Sequence, residues 1–348
     1  MRRLNIIKCN GFIILFILHF SLLCSFNSHL STASIPQKPV IKISSLSTNT
    51  PKTYFELKYL KHYFGENQEE LHKIYSNEDE IEIFNAIYKL INPQKLIDDR
   101  LNGENVTIAI LDSGINNNSW ITNVVARYTT ISNSNVIKDD NGHGTFVGSI
   151  ISRIAPKAKL ISIKVSDSSG FASFESVKDG LELALDNNVS IIHASLGSTY
   201  LEALNSSLIA KINSKNITTV FSAGNFGPFA TSLSSPAIFT GTIAVGMAYN
   251  QTHLYPSTSS GPRPSGEMGP DIVAPGVDII GYNQTLNFEY RTGTSYAAAF
   301  ATGTLALLKE AFPDQSPLTL KAALLETANF MNNTSPIRQG NGFLDISK

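Results

Sequence analysis

Five segments between residues 105 and 248 share one design, a short β-branched apolar run closed by a loop of Gly, Ser, Asp or Asn. They read "NVTIAILDSG", "AKLISIKVSDSSG", "VSIIHASLGS", "ITTVFSAGN" and "GTIAVGMA". Continuous runs of this length read as strands buried on both faces, because a half-exposed strand alternates polar with apolar residues. Helical patterns separate them, "FESVKDGLELALDNN" and "YLEALNSSLIAKINSK" among them. Such alternation builds βαβ units, so the expected fold is α/β: three layers, with a mostly parallel central sheet and helices on both faces. Further on, "SYAAAFATGTLALLKEAF" reads as a long buried helix. "SPLTLKAALLETA" reads as an amphipathic helix capped by Ser316, with Pro317 in its first turn.

In a sheet of this kind, the loops at the carboxyl ends of the strands gather in one crevice, where ligands bind. Those loops carry Asp112, Ser195–Gly197 and Asn225. "NGHGTFVGSI" sets His143 between Gly142 and Gly144, ahead of a helical run, and "RTGTSYAAAFATG" sets Ser295 at a helix start. Read singly, Asp112 is a turn aspartate, His143 a helix-start histidine, Ser295 an N-cap and Asn225 a loop residue supporting a turn. A nucleophile also gains from the position of Ser295, since helix-start N–H groups stabilise developing negative charge. In the order Asp, His, Ser, each beside glycines, the three are hard to explain separately.

With these segments the chain resembles the subtilisin-like serine proteases, whose triad runs in that order. The matching stretches are "ILDSG", "NGHGTFV", "ASLGS", "SAGN", "GPDIVAPG" and "GTSYAAAFATG", spread over roughly three-quarters of the chain. The resemblance implies that Ser295 attacks the peptide carbonyl, His143 takes and later returns the proton, and Asp112 fixes the imidazole. It implies that Asn225 lends its amide to the oxyanion hole together with the Ser295 N–H. Substrate is then expected as an extended strand between backbone edges at Ser195–Leu196–Gly197 and near Gly170, with Ala223 and Gly224 lining the pocket for the side chain before the cut. "GHGTFV", "NVVARYTT", "SAGNFGP" and "QGNGFLDISK" are most similar to the site-1-protease branch. The anchored tail associated with that branch is not found before Lys348, so its cleavage preference is not carried over.

Three positions depart from the family pattern: Ala299 for a usual proline, Ser149 for a usual glycine and Gly261 for a larger residue. Alanine favours helix, so the helix after Ser295 should persist. Ser149 is expected to widen the packing of the histidine helix slightly. Two rival functions are a catalytically silent subtilase fold acting by binding, and a different serine hydrolase such as an esterase. Filled reactive positions oppose the first, and the missing G-x-S-x-G elbow opposes the second.

At the N-terminus, Arg2, Arg3 and Lys8 precede the apolar "GFIILFILHFSLLC". An apolar core of roughly 12–14 residues fits a signal peptide and falls short of a spanning helix. The expected division is a signal peptide at 1–28, a short propeptide or leader at 29–80 and a peptidase domain at 81–348. The alternatives are an uncleaved signal anchor and a disordered leader. The expected route is therefore the secretory pathway, with no transmembrane segment in the mature protein and the propeptide as inhibitor. Several N-x-S/T triplets, Asn188, Asn205, Asn216, Asn250 and Asn283 among them, are consistent with it. Both cysteines, Cys9 and Cys24, lie in the leader, which leaves the mature chain no disulfide and no thiol chemistry. A formal charge of -1, from 27 basic and 28 acidic residues, gives no bulk-charge grip on nucleic acid. No cofactor is expected. A structural calcium is allowed for but not located, and Asp139 and Asp140 are read as shaping the loop before His143.

Overall fold

A computed structural model describes residues 80–198 and 206–347. The expected signal peptide, nearly all of the expected leader and the helical pattern "YFELKYLKHYF" lie outside the described residues, as does the start of "YLEALNSSLIAKINSK".

An eight-stranded sheet runs through the molecule. Its strands are β1 (Thr107–Asp112), β2 (Val124–Thr129), β3 (Lys159–Lys164), β4 (Ile191–Ala194), β5 (Thr218–Ser222), β6 (Ile243–Asn250), β7 (His253–Leu254) and β8 (Ile272–Pro275). The order is β2-β3-β1-β4-β5-β6-β7, with β8 also paired to β6. All pairings are parallel except that of β7 with β6. A separate antiparallel hairpin joins β9 (Ile279–Tyr282) to β10 (Phe288–Arg291).

The two faces explain why the strands are apolar throughout. Ile108 and Ile110 of β1 enter one core, while Ala109 and Leu111 enter the other. The first core is closed by α1 (Glu80–Lys89), α3 (His143–Ile154) and α6 (Thr294–Ala311), and the second by α4 (Phe174–Asp186) and α5 (Ser206–Ser214). The short α2 (Gln94–Asp98), α7 (Pro317–Glu326) and α8 (Pro336–Gln339) complete the helices among the described residues. Ser173 and Ser316 cap α4 and α7 by accepting the N–H of Ser176 and Thr319, each at 3.1 Å. Caps of this kind contribute about 1 kcal/mol.

The three-layer α/β arrangement is thus present. β2, β8 and the β9–β10 hairpin go unread in the sequence, being short or half-exposed. α6 runs unbroken through Ala299, which is fully buried.

Candidate active site

β1 ends on Asp112, and its carboxylate is buried. The first residue of α3 is His143, whose Nδ1 lies 2.8 Å from Asp112 Oδ1 and 2.9 Å from Oδ2. The Ser113 N–H also donates to Asp112 Oδ1, at 2.7 Å. Burial raises the Asp112 pKa, but the adjacent imidazole and these hydrogen bonds outweigh it and hold the group below the usual carboxylate value. Burial likewise opposes a charged imidazole, yet the Asp112 carboxylate wins and the His143 pKa is raised. An ionised carboxylate only accepts, so Nδ1 carries the ring proton and Nε2 keeps its lone pair.

The glycines around His143 are dictated by space and backbone. Gly142, the N-cap of α3, sits at φ 97°, and a Cβ there would lie 1.9 Å from Gln284 Oε1. A Cβ on Gly144 would lie 2.1 Å from the Gly114 carbonyl, so glycine lets the helix start close against the end of β1. Asp139 builds the preceding loop. Its Oδ1 accepts from Ser113 Oγ, Asn141 N and Gly142 N, and its Oδ2 from Thr145 N and Oγ1. Asp140 pairs instead with the buried Lys164, at 2.6 Å. Among the described residues no group of three or more His, Cys, Asp or Glu is placed to hold a metal ion.

Ser295 occupies the first turn of α6, whose N-cap, Gly293, supplies no side-chain cap. N–H groups in a first turn have no intrahelical acceptor and remain available. The Ser295 hydroxyl donates to the Ser195 carbonyl at 3.3 Å. Its neighbour Tyr296 sets its ring 5.8 Å from the His143 ring, which brings the start of α6 beside the imidazole. Asn225, past the end of β5, accepts at Oδ1 from both Thr294 N at 3.0 Å and Thr294 Oγ1 at 3.1 Å. With its oxygen doubly held, its Nδ2 faces away from Thr294. The Gly224 N–H donates to the same Thr294 hydroxyl at 3.2 Å.

A cleft of about 820 Å³ is lined by Asp112, His143, Gly170, Ser195, Leu196 and Gly197, among others, while Ser295 and Asn225 are not among its lining residues. Leu196 and Gly197 form no main-chain hydrogen bond among the described residues. Phe171 and Phe174, exposed on the same wall, escape notice in the sequence, where they look like ordinary loop and helix-start residues. Neither Ala223 nor Gly224 lines this cleft. Ala223 is fully buried against Leu233 and Ile238.

The family model described as the subtilase family (peptidase S8) matches residues 103–342. The chain belongs to the subtilase family. A thermostable alkaline protease of Halalkalibacterium halodurans is 30% identical over 269 residues, covering 74% of this chain and 71% of that protein. Subtilisin Savinase of Lederbergia lenta is 30% identical over 244 residues, covering 68% of this chain and 87% of that one. Among solved structures, a cold adapted subtilisin-like serine proteinase superposes with TM-score 0.62 at 26% identity, over 70% of this chain and 90% of that one. The chain is therefore a subtilisin-like serine endopeptidase, a peptide-bond hydrolase.

Two departures of this subtilase from its family's pattern now have physical accounts. Ser149, expected to widen the packing of the histidine helix slightly, is fully buried. Its hydroxyl donates to the Phe146 carbonyl at 2.7 Å and accepts the Tyr282 N–H at 3.2 Å, occupying space left by Gly281. Gly261 has no room for a side chain, since a Cβ would lie 2.6 Å from the Gly269 carbonyl. One buried residue of the site was also passed over in the sequence. His193 is the one polar residue in the otherwise apolar strand β4, and that interruption of "SIIHASLG" was the available signal.

Proposed function

We propose that this subtilase cleaves peptide bonds with Ser295 as nucleophile, His143 as general base and then acid, and Asp112 as the group that orients the ring and stabilises its charged form. The observation that carries the reading is the double contact of His143 Nδ1 with the Asp112 carboxylate, at 2.8 and 2.9 Å. It commits the opposite nitrogen, Nε2, to accept a proton. Rotation about the Ser295 Cα–Cβ bond exchanges the Ser195 carbonyl for Nε2, and the alkoxide forms as the proton leaves. Collapse of the tetrahedral intermediate expels the amine, protonated by His143, and leaves an acyl-enzyme that water resolves by the same route in reverse.

Negative charge on the carbonyl oxygen is met by the Ser295 N–H and by Asn225 Nδ2, which the doubly bonded Oδ1 orients. The substrate lies as an extended strand between Ser195–Gly197 and the loop at Gly170, a reading supported by the open main chain of Leu196 and Gly197. Gly224 borders the pocket for the side chain before the cut, and Ala223 backs it. Residues 1–28 act as a secretory signal. The following segment serves as propeptide, and the mature enzyme works outside the cell. The basic-then-apolar start of the sequence supports that route, and among the described residues no helix is long and apolar enough to cross a membrane.

A fluorophosphonate probe tests the assignment, since it phosphonylates only an activated serine. The chain without its leader is expected to label stoichiometrically, and Ser295→Ala not at all. Labelling that survives in Ser295→Ala, or none in either protein, defeats the triad.

A further inference from the structure

Behind the nucleophile lies a buried polar chain that the catalytic reading leaves unused. On β4, Ile191 faces the core shared with α6, while Ile192 and Ala194 face the opposite core. By the two-residue alternation of a strand, His193 therefore points toward α6. It is 0% exposed and touches a hydroxyl with each nitrogen. Nδ1 lies 2.7 Å from Thr302 Oγ1 and Nε2 lies 2.6 Å from Ser195 Oγ. Onward links run from Thr302 Oγ1 to the Ala298 carbonyl at 2.9 Å and from Ser195 Oγ to the Ser295 carbonyl at 2.9 Å.

Proton accounting narrows what this chain can do. It has four links, and a neutral imidazole with two hydroxyls supplies three protons. With the proton on Nε2, the ring donates to Ser195, Ser195 donates to the Ser295 carbonyl and Thr302 donates to Nδ1. With the proton on Nδ1, Thr302 keeps Ala298, Ser195 turns back to the ring and the Ser295 carbonyl loses its brace. Only an imidazolium fills all four links, and burial holds that form off, with the His193 pKa lowered to about 3. The charged groups that act on the ring are Asp112 at the end of β1 and His143 on α3. A second positive charge here would oppose the imidazolium that His143 must become.

We propose that His193 is a positioning residue for the nucleophile: its Nε2–H orients the Ser195 hydroxyl, which clamps the Ser295 backbone at the mouth of α6. At rest the Ser295 hydroxyl also donates to the Ser195 carbonyl at 3.3 Å, a contact it gives up on turning to His143, while the Ser195 hydroxyl keeps its hold on the Ser295 carbonyl. The backbone edge offered to substrate and the turn that presents the nucleophile are thereby tied into one rigid unit. This rests on Ser295 being the nucleophile.

Steady-state kinetics on a chromogenic peptide and fluorophosphonate labelling rates test it in the leaderless enzyme. His193→Phe and Ser195→Ala are each expected to lower kcat about tenfold while KM stays within about twofold, with labelling slowed in proportion. His193→Asn, whose amide donates to Ser195 and whose oxygen accepts from Thr302, is expected to recover most of the loss. The double variant His193→Phe/Ser195→Ala is expected to be no worse than its poorer parent. A folded His193→Phe with wild-type kcat and labelling overturns the proposal, as does a fully additive double variant. Where His193→Phe does not fold, Ser195→Ala, which removes one atom, decides alone: unchanged kcat overturns it. Failure of the wild type to label at Ser295 instead overturns the nucleophile assignment.

Discussion

Two histidines stand in this site in opposite electrostatic conditions. His143 is partly open to the cleft and bonded to a carboxylate, and its pKa is raised despite burial. His193 is sealed off with hydroxyls for partners, and burial lowers it to about 3. On the proposed mechanism His143 must be unprotonated to act as base, so activity is expected to fall as pH drops through its pKa. The acid limb of kcat/KM, which reports the free enzyme, is therefore expected to have its midpoint above the ordinary histidine value of about 6.5. In Asp112→Asn the largest raising influence is gone and burial prevails, so the midpoint of the residual activity should move downward. A pH profile of kcat/KM for both proteins checks this, and an unmoved midpoint would show that Asp112 does not set it. Asp112, His143 and Ser295 were legible in the sequence because glycines and strand-end spacing mark them. His193 was not, because its partner Thr302, and the Ser295 carbonyl that its other partner Ser195 reaches, lie on a helix that only the folded sheet brings near.

At the level of elements, the long apolar strands and α6 announced themselves through burial on both sides. The β9–β10 hairpin did not, since its strands are four residues each and partly exposed. Yet this hairpin is what the histidine helix leans on. Gln284 fills the space in front of Gly142, the Arg291 guanidinium carbon sits 5.1 Å over the Phe146 ring, and Ser149 holds the Tyr282 N–H. Ser149→Ala leaves that N–H without its acceptor and is expected to destabilise the enzyme by about 1–3 kcal/mol. Gly281→Ala sets a new Cβ 2.8 Å from Ser149 Oγ and 3.0 Å from the Phe146 ring. It should cost more in the wild-type background than in Ser149→Ala, where the nearest of these obstacles is gone. Denaturant midpoints for the four proteins measure that coupling. Equal costs in the two backgrounds would mean that Ser149 and Gly281 do not meet as described.

For the molecule as a whole, no cysteine lies among the described residues, so stability rests on two cores and buried polar pairs such as Arg263–Asp271. Burial of His193 makes that stability sensitive to acid. The unfolded chain takes up a proton near pH 6.5 that the folded protein refuses until about pH 3. Folding is thus unpenalised above about pH 6.5 and loses about 1.4 kcal/mol per pH unit below it. Stability measured from pH 6.5 to 4 should fall more steeply in the wild type than in His193→Asn, by close to one proton. Parallel curves would place the acid sensitivity elsewhere. The order of the parts along the chain has a last consequence. Asp112 ends β1, while Ser295 arrives only on α6, after β10, seated against β4, β5, β6 and β8. On the proposed mechanism, the nucleophile is therefore synthesised after the carboxylate, the imidazole and the strands that seat it. A half-made copy of this enzyme therefore holds no working blade, and its own nascent chain is spared.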